Sequence, residues 1–280
     1  MSSKRPLKIV RVLTRLNIGG PSRHAALLSS QLDPERFTTC LVIGEPDVLE
    51  GDLSGLVQGP AVSLIRLPML QRTIRPWRDG QAWWRLVRVL WQEQPDIIHT
   101  HMAKAGALGR LAGIVYNGVG ARRHRKRAVL IHTFHGHVLD GYFASWMSRL
   151  FAGIERWLAR RTDYLIAISP AIRQELISRG IGREPQIRVI PLGLDLTALL
   201  ALEPSQAGER FRFGLVGRLV PIKYPRLFVE AVVRLAARRP AGSIQGVVVG
   251  DGPLRQDLEA WVRQQQAQRL VQMTGWQHDV

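Results

Sequence analysis

The sequence predicts an α/β protein with two doubly wound, largely parallel sheets, and three observations predict it. Short Val/Ile/Leu-rich runs alternate with longer helical patterns along nearly the whole chain, the signature of repeated βαβ units. The apolar runs are close to continuous, as in strands buried on both faces. Gly19-Gly20, His99-Thr100-His101 and His135-Gly136-His137 all fall just after such runs, and open α/β sheets bind ligands beyond the carboxyl ends of their strands.

The first strand covers 8–14 (KIVRVLT) and breaks at Asn17-Ile18-Gly19-Gly20, with a helix over 22–31. A second strand at 38–43 closes at Gly44, and a loop-rich crossover over 45–62 leads to a short strand at 62–67. A helix over 77–92 is ended by Pro95; the strand DIIHT follows at 96–100, then a helix over 103–116. A strand at 129–134 and a long helix over 145–161 precede a strand at 164–168. The helix over 170–178 has Ser169 as N-cap and Pro170 in its first turn, and a short strand lies at 187–190. The composition shifts over 196–210, read as a linker between a domain at 1–195 and a second at 211–280. That second series has strands at 211–216, 244–249 and 270–273 with helices over 225–238 and 254–268. Three strands are fewer than a doubly wound domain usually carries, so this domain reads as incomplete, with an exposed sheet edge that favours aggregation.

The 280 residues are 46% hydrophobic and 22% charged, which excludes a disordered, collagen-like or coiled-coil chain. The net charge of +17 calls for an anionic partner: phosphate-bearing substrates, an acidic membrane face or nucleic acid. No nucleic-acid-binding motif accompanies it, so no nucleic acid is expected. Cys40 is the single cysteine; an internal disulfide and a thiolate metal cluster are excluded, and a reducing cytoplasm fits. The run after Lys4 and Arg5 is too short and too charged for a secretion signal. No stretch of ~20 apolar residues exists, so any membrane contact is peripheral.

Each motif has a functional and a plain reading. Gly19-Gly20 lets backbone approach a phosphate at a helix N-terminus, or merely makes a tight turn. Five histidines (His99, His101, His132, His135, His137) sit at two strand ends. No carboxylate or thiolate stands at ligand spacing beside them, so no metal is expected. Alternation points His99 and His101 to one face and Thr100 to the other. His99 is structural or functional; for His135, flanked by Gly136, the functional reading is preferred. Arg218 and Lys223 in GRLVPIK follow a strand and suit a diphosphate. Gly250-Asp251-Gly252 opens a helix, where Asp251 binds a ligand or caps the helix. The basic run at 122–127 is a solvated loop, or a contact for nucleic acid or anionic lipid. Trp77, Trp83, Trp84 and Trp91, interleaved with Arg75, Arg78, Arg85 and Arg88, suit a membrane interface, with Trp84, Val87 and Trp91 assigned to the core by their spacing.

Together the segments NIGGPSRHAALLSSQL, PDIIHTHMAKAGALGRLAG, HTFHGHVLDGYF, ERWLARRTDYLIAISPAIRQEL, VIPLGLDL, GLVGRLVPIKYPRLFVEAV and VVVGDGPLRQDLE resemble glycosyltransferase family 4, retaining enzymes of the GT-B fold. The resemblance implies a complete N-terminal Rossmann-like, acceptor-side domain and an incomplete second Rossmann-like domain. It implies a nucleotide-diphosphate sugar as donor substrate, no cofactor and no metal. Gly20 then lies near the diphosphate, His135 matches the family's catalytic histidine near the sugar, and Arg218 and Lys223 match its diphosphate-binding pair. Gly250 and Asp251 join the donor side; Gly19, His101, Gly136 and His137 join the acceptor side. The acceptor is a glycan or lipid-linked, consistent with a basic protein on the inner face of the cytoplasmic membrane. The family carries Gly after that lysine, whereas Tyr224 and Pro225 stand here and crowd the approach.

The resemblance also implies a strand–loop–helix with a glutamate pair beyond Val280. The chain is therefore expected to be a truncated frame or a partial sequence, with weak or no transferase activity as it stands. A non-catalytic, acceptor-binding remnant and a sugar-nucleotide epimerase on the same scaffold are the alternatives. The epimerase calls for cleft carboxylates, which the strand ends lack.

Overall fold

The computed structural model describes residues 5–46, 51–122, 126–136, 145–203 and 210–277. The chain divides into two compact units, Met1–Asp195 and Leu196–Val280.

The first unit has seven strands: β1 (Leu7–Leu13), β2 (Phe37–Ile43), β3 (Val62–Arg66), β4 (Ile97–His101), β5 (Val129–Phe134), β6 (Tyr164–Ala167) and β7 (Ile187–Val189). They form one parallel sheet in the order β3-β2-β1-β4-β5-β6-β7. The chain moves outward from β1 to β3, then returns beside β1 and moves the other way. The pair β1/β4 is therefore the topological switch point, where the flanking loops part and leave a crevice.

Its helices are α1 (Gly20–Ser30), α2 (Pro76–Glu93), α3 (Ala103–Arg122), α4 (Ser145–Ala159) and α5 (Pro170–Ser178). Val10, Val12, Ile98 and Leu130 pack against Ala82, Leu86 and Leu90 of α2 and Ala105 and Ala112 of α3. On the opposite face, Leu13, Leu41 and Ile43 pack under Ala25 and Ala26 of α1. Both faces are thus covered, which is why the strands read as unbroken apolar runs. The approach of α3 depends on Gly106: a Cβ there would meet His132 Cε1 at 2.4 Å. Ser169 caps α5 as its sequence position predicts, its hydroxyl accepting from the Ile172 N–H at 3.3 Å.

Two expectations are corrected. The third helix runs to Arg122, beyond the predicted end at 116, despite Asn117, Gly118 and Gly120. The Asn117 side chain both donates to and accepts from the backbone of Ala128, at 2.9 Å each way, so a tertiary contact overrides weak propensity. Trp84 does not join the core. The buried stripe of α2 is Ala82, Leu86, Val87, Val89 and Leu90; Trp83 and Trp91 pack against it, while Trp84 is 56% and Trp77 80% exposed. Spacing alone fixed the helix but set its phase wrongly at Trp84.

The second unit contains α6 (Thr197–Leu200), β8 (Phe211–Val216), α7 (Pro225–Ala236), β9 (Ile244–Val249), α8 (Arg255–Gln264) and β10 (Val271–Gly275). The single turn α6 falls within the stretch read as a linker. The three strands are parallel in the order β10-β9-β8. Val229 and Val232 of α7 and Leu258 and Val262 of α8 cluster with Phe213, Leu215, Val248, Val271 and Met273, so both helices cover the same sheet face. Val216, on the other face, is 61% exposed.

Candidate active site

The sheet register builds the first site. Arg11 of β1 lies opposite His99 of β4, and His101 lies opposite Thr133 of β5. Paired residues of parallel strands share a face, so one polar row crosses three central strands on the α1 side. Arg11 Nη1 donates to His99 Nδ1 at 3.0 Å and to His101 Nε2 at 3.5 Å. His99 Nε2 meets Thr133 Oγ1, and His101 Nδ1 meets His135 Nε2, each at 2.8 Å. The imidazole centroids of His99 and His101 lie 4.2 Å apart with the rings tilted by 35°, those of His101 and His135 5.1 Å apart and tilted by 32°. His24, from α1, sets its ring edge-on to His135 at 5.8 Å.

Thr100 and His132 point to the opposite face and bond each other at 2.8 Å, as the alternation predicts. His99, His101 and Thr133 are buried. Arg11 is 1% exposed and has no carboxylate partner among the described residues; burial lowers its pKa to about 10, so it stays charged at neutral pH. Burial first, then neighbouring positive groups, hold His99, His101 and His132 well below the usual histidine range. Burial and His24 lower His135 to about 4.

Two features stand out beside this polar row. The Nδ1 atom of His135 is buried with no hydrogen-bond partner among the described residues, and buried polar atoms are normally paired. The first turn of α1 has no side-chain cap on Gly19, and a Cβ at Gly19 or Gly20 would meet nothing within 4 Å. Among the described residues nothing crowds these two glycines, and helix starts favour an anion. Gly136 follows His135 directly, and His137 lies outside the described residues. In the basic run, Lys126 pairs with Asp96 at 3.7 Å and Arg127 with Asp163 at 2.8 Å; positions 123–125 lie outside the described residues.

The second unit places Arg218, Lys223, Gly250 and Asp251 on the loops that leave β8 and β9. These loops are hydrogen-bonded together: Leu219 N donates to Asp251 O at 2.9 Å, and Leu254 N to Leu219 O at 3.1 Å. Gly250 has φ +135°, and a Cβ there would stand 2.0 Å from Gly217 O. Only glycine lets the two loops cross this closely. Asp251 does not cap α8, whose N-cap is Leu254. It accepts from Gly252 N at 2.7 Å and pairs with Arg255 at 2.6 Å. Arg218 is half-buried, and the exposed Lys223 ends a 3-10 turn. The next residue, Tyr224, is left-handed with φ 45° and ψ 53°. A side chain there costs about 1–2 kcal/mol, which accounts for glycine at that place in the resembled pattern.

Arg11 and His24 were missed from the sequence. A cation within the buried stretch 9–13 of β1 is the signal that marks Arg11, since a buried charge is expensive unless it is used. His24 carries no such mark.

A seven-stranded doubly wound unit followed by a smaller parallel unit, each with its polar residues at the carboxyl ends of the strands, defines a GT-B type α/β protein. Residues 19–193 match the glycosyl transferase 4-like domain, and the chain belongs to that family; it is a glycosyltransferase by this resemblance. It is 27% identical over 289 aligned residues to the UDP-Gal:alpha-D-GlcNAc-diphosphoundecaprenol alpha-1,3-galactosyltransferase of Escherichia coli, covering 100% of this chain and 71% of that enzyme. It is 31% identical over 173 residues to the D-inositol 3-phosphate glycosyltransferase of Kineococcus radiotolerans, covering 56% of this chain and 37% of that one. The crystal structure of Anabaena HepE with UDP and glucose superposes with a TM-score of 0.69 at 17% identity, over 98% of this chain and 70% of that one. Sucrose-phosphate synthase from Thermosynechococcus elongatus gives 0.66 at 20% identity, over 98% and 71%. At these identities the structures speak for the fold. No described helix is long and apolar enough to cross a membrane.

Proposed function

We propose that the protein transfers a sugar, with retention, from a nucleotide-diphosphate sugar to a lipid-linked or polysaccharide acceptor. The observation that carries this reading is the partnerless Nδ1 of His135 at the switch-point crevice, next to an uncapped, open helix start. In this reading His135 hydrogen-bonds the sugar, Gly19 and Gly20 admit phosphate or acceptor oxygen, and Arg218 and Lys223 neutralise the leaving diphosphate. Those two cations stand in for a divalent metal, so transfer is expected without one. The E. coli relative, a UDP-Gal:alpha-D-GlcNAc-diphosphoundecaprenol galactosyltransferase, suggests the substrate classes to try, UDP-Gal and a diphosphoundecaprenol-linked sugar.

Transfer of labelled galactose from UDP-Gal to such an acceptor, in the presence of EDTA, tests the reaction. Arg218→Ala and Lys223→Ala are each expected to weaken UDP binding roughly tenfold or more, the worth of one charge-assisted hydrogen bond. UDP affinity unchanged in both variants would remove the diphosphate role.

A lipid-linked acceptor calls for a membrane-facing surface. Ile74, Trp77 and Trp84 are exposed among Arg75, Arg78, Arg85 and Arg88, the composition of an interfacial helix. The chain is expected to float with vesicles containing phosphatidylglycerol. Trp77→Ser/Trp84→Ser is expected to abolish that flotation, and equal flotation of the variant would argue against this surface.

A further inference from the structure

We propose that Arg11 is a positioning residue: through His101 it fixes the tautomer of His135, so that His135 presents its Nδ1–H to an acceptor oxygen of the ligand. The argument is one of proton inventory. A guanidinium carries donors only. Arg11 Nη1 has two hydrogens and two imidazole neighbours, His99 Nδ1 at 3.0 Å and His101 Nε2 at 3.5 Å. Both nitrogens must therefore be bare acceptors. A neutral imidazole with one bare nitrogen carries its proton on the other. His99 then donates from Nε2 to Thr133 Oγ1, and His101 donates from Nδ1 to His135 Nε2, each at 2.8 Å. His135 Nε2 is thereby an acceptor, and its own proton is left on Nδ1, the atom that no group among the described residues accepts from.

The groups facing these rings reinforce the neutral state. Arg11 stands against His99 and His101, Arg110 acts on His132, and His24, hydrogen-bonded to the backbone of Gly193, faces His135. Each is a cation or becomes one on protonation; Arg110, on the opposite face, is paired with Glu155, whereas Arg11 has no carboxylate partner among the described residues. A neutral His135 with its proton on Nδ1 can donate there and cannot accept. At that nitrogen it is a hydrogen-bond donor to a hydroxyl or a developing oxyanion, and not a base. The use of that donor on a sugar rests on the transfer reading above; the tautomer itself does not.

The test is nitrogen-15 NMR of the full chain labelled at histidine, using long-range proton–nitrogen correlations near pH 7.5. His135 is assigned by the signal lost in His135→Gln. The expected wild-type pattern is a protonated Nδ1 and a bare Nε2 at His135. Arg11→Met, which removes the donor at the head of the relay, is expected to bring in the Nε2-protonated form. His101→Phe interrupts the relay with Arg11 in place and is expected to do the same, which keeps the test open if Arg11→Met fails to fold. A wild-type His135 protonated on Nε2 overturns the proposal, as does an unchanged Nδ1–H pattern in the folded variants. A purely structural Arg11 would lower the melting temperature without moving the tautomer. If the tautomers behave as expected but no sugar is transferred, the relay stands and the transfer reading falls.

Discussion

Unfolding of the first unit is expected to become steeply easier below pH 6.5, by about 4 kcal/mol per pH unit once the pH is well below that value. His99, His101 and His132 are buried and held well below the usual histidine range, by burial first. In the unfolded chain each titrates near its ordinary value of about 6.5. The folded pKa is depressed, so the unfolded state binds more protons and stability rises with pH. Their contribution is fully present above the unfolded value and is lost as the pH falls from there toward the folded values. Each proton taken up only on unfolding is worth about 1.4 kcal/mol per pH unit, and three give the slope. His135 acts in the same direction between about 6.5 and about 4. Asp96, where the Lys8 N–H and Arg5 outweigh the upward push of burial, has its pKa lowered from 3.8, so it adds its own loss only at more acid pH. Against a typical total of about 5–15 kcal/mol, such a slope removes a large share of the stability as the pH falls below 6.5. Urea midpoints at pH 7.5, 6 and 5 measure the slope. A flat profile would mean that the imidazoles take up protons inside the fold.

What was legible in the sequence was what local pattern encodes. The parallel strands announce themselves as apolar runs because both sheet faces are covered, and Ser169-Pro170 marks the start of α5 by cap chemistry. His101 and His135 were singled out separately, but their hydrogen bond joins positions 34 apart and follows from strand register, which no local window contains. Arg11 sat in plain view within KIVRVLT, yet a mid-strand arginine gains a meaning only once the neighbouring strand supplies histidines. The resemblance puts Gly250 on the donor side; the crossing of two loops at Gly217 already calls for glycine there. Trp83 and Trp84 differ by one position, or about 100° of helix, and only packing tells which of them is inside. Tyr224 shows the converse: a residue that departs from a resembled pattern sits in a left-handed backbone conformation that glycine would adopt at no cost.

Glu155→Ala is expected to cost about 3–5 kcal/mol, the range for breaking a buried ion pair from one side. No sequence window suggested this pair, since 45 residues separate its members. Arg110 Nη2 lies 2.7 Å from both carboxylate oxygens of Glu155, and the Arg110 side chain is fully buried. Arg110 Nε also donates to Gly106 O at 2.9 Å, while Nη1 has no partner among the described residues. The guanidinium is already one donor short, so losing the carboxylate leaves a buried cation with little compensation. The pair ties α3 to α4, and α3 in turn rests on His132 through Gly106; loosening it disturbs the helix that backs the polar row. The loss comes from the stranded charge rather than from the attraction itself. Arg110→Met/Glu155→Leu, which removes both charges and keeps the volume, is therefore expected to recover most of it. Thermal and urea unfolding of the single and double variants decide the point. A double variant as unstable as Glu155→Ala would mean that the pair is worth its geometry, and that the desolvation argument fails here.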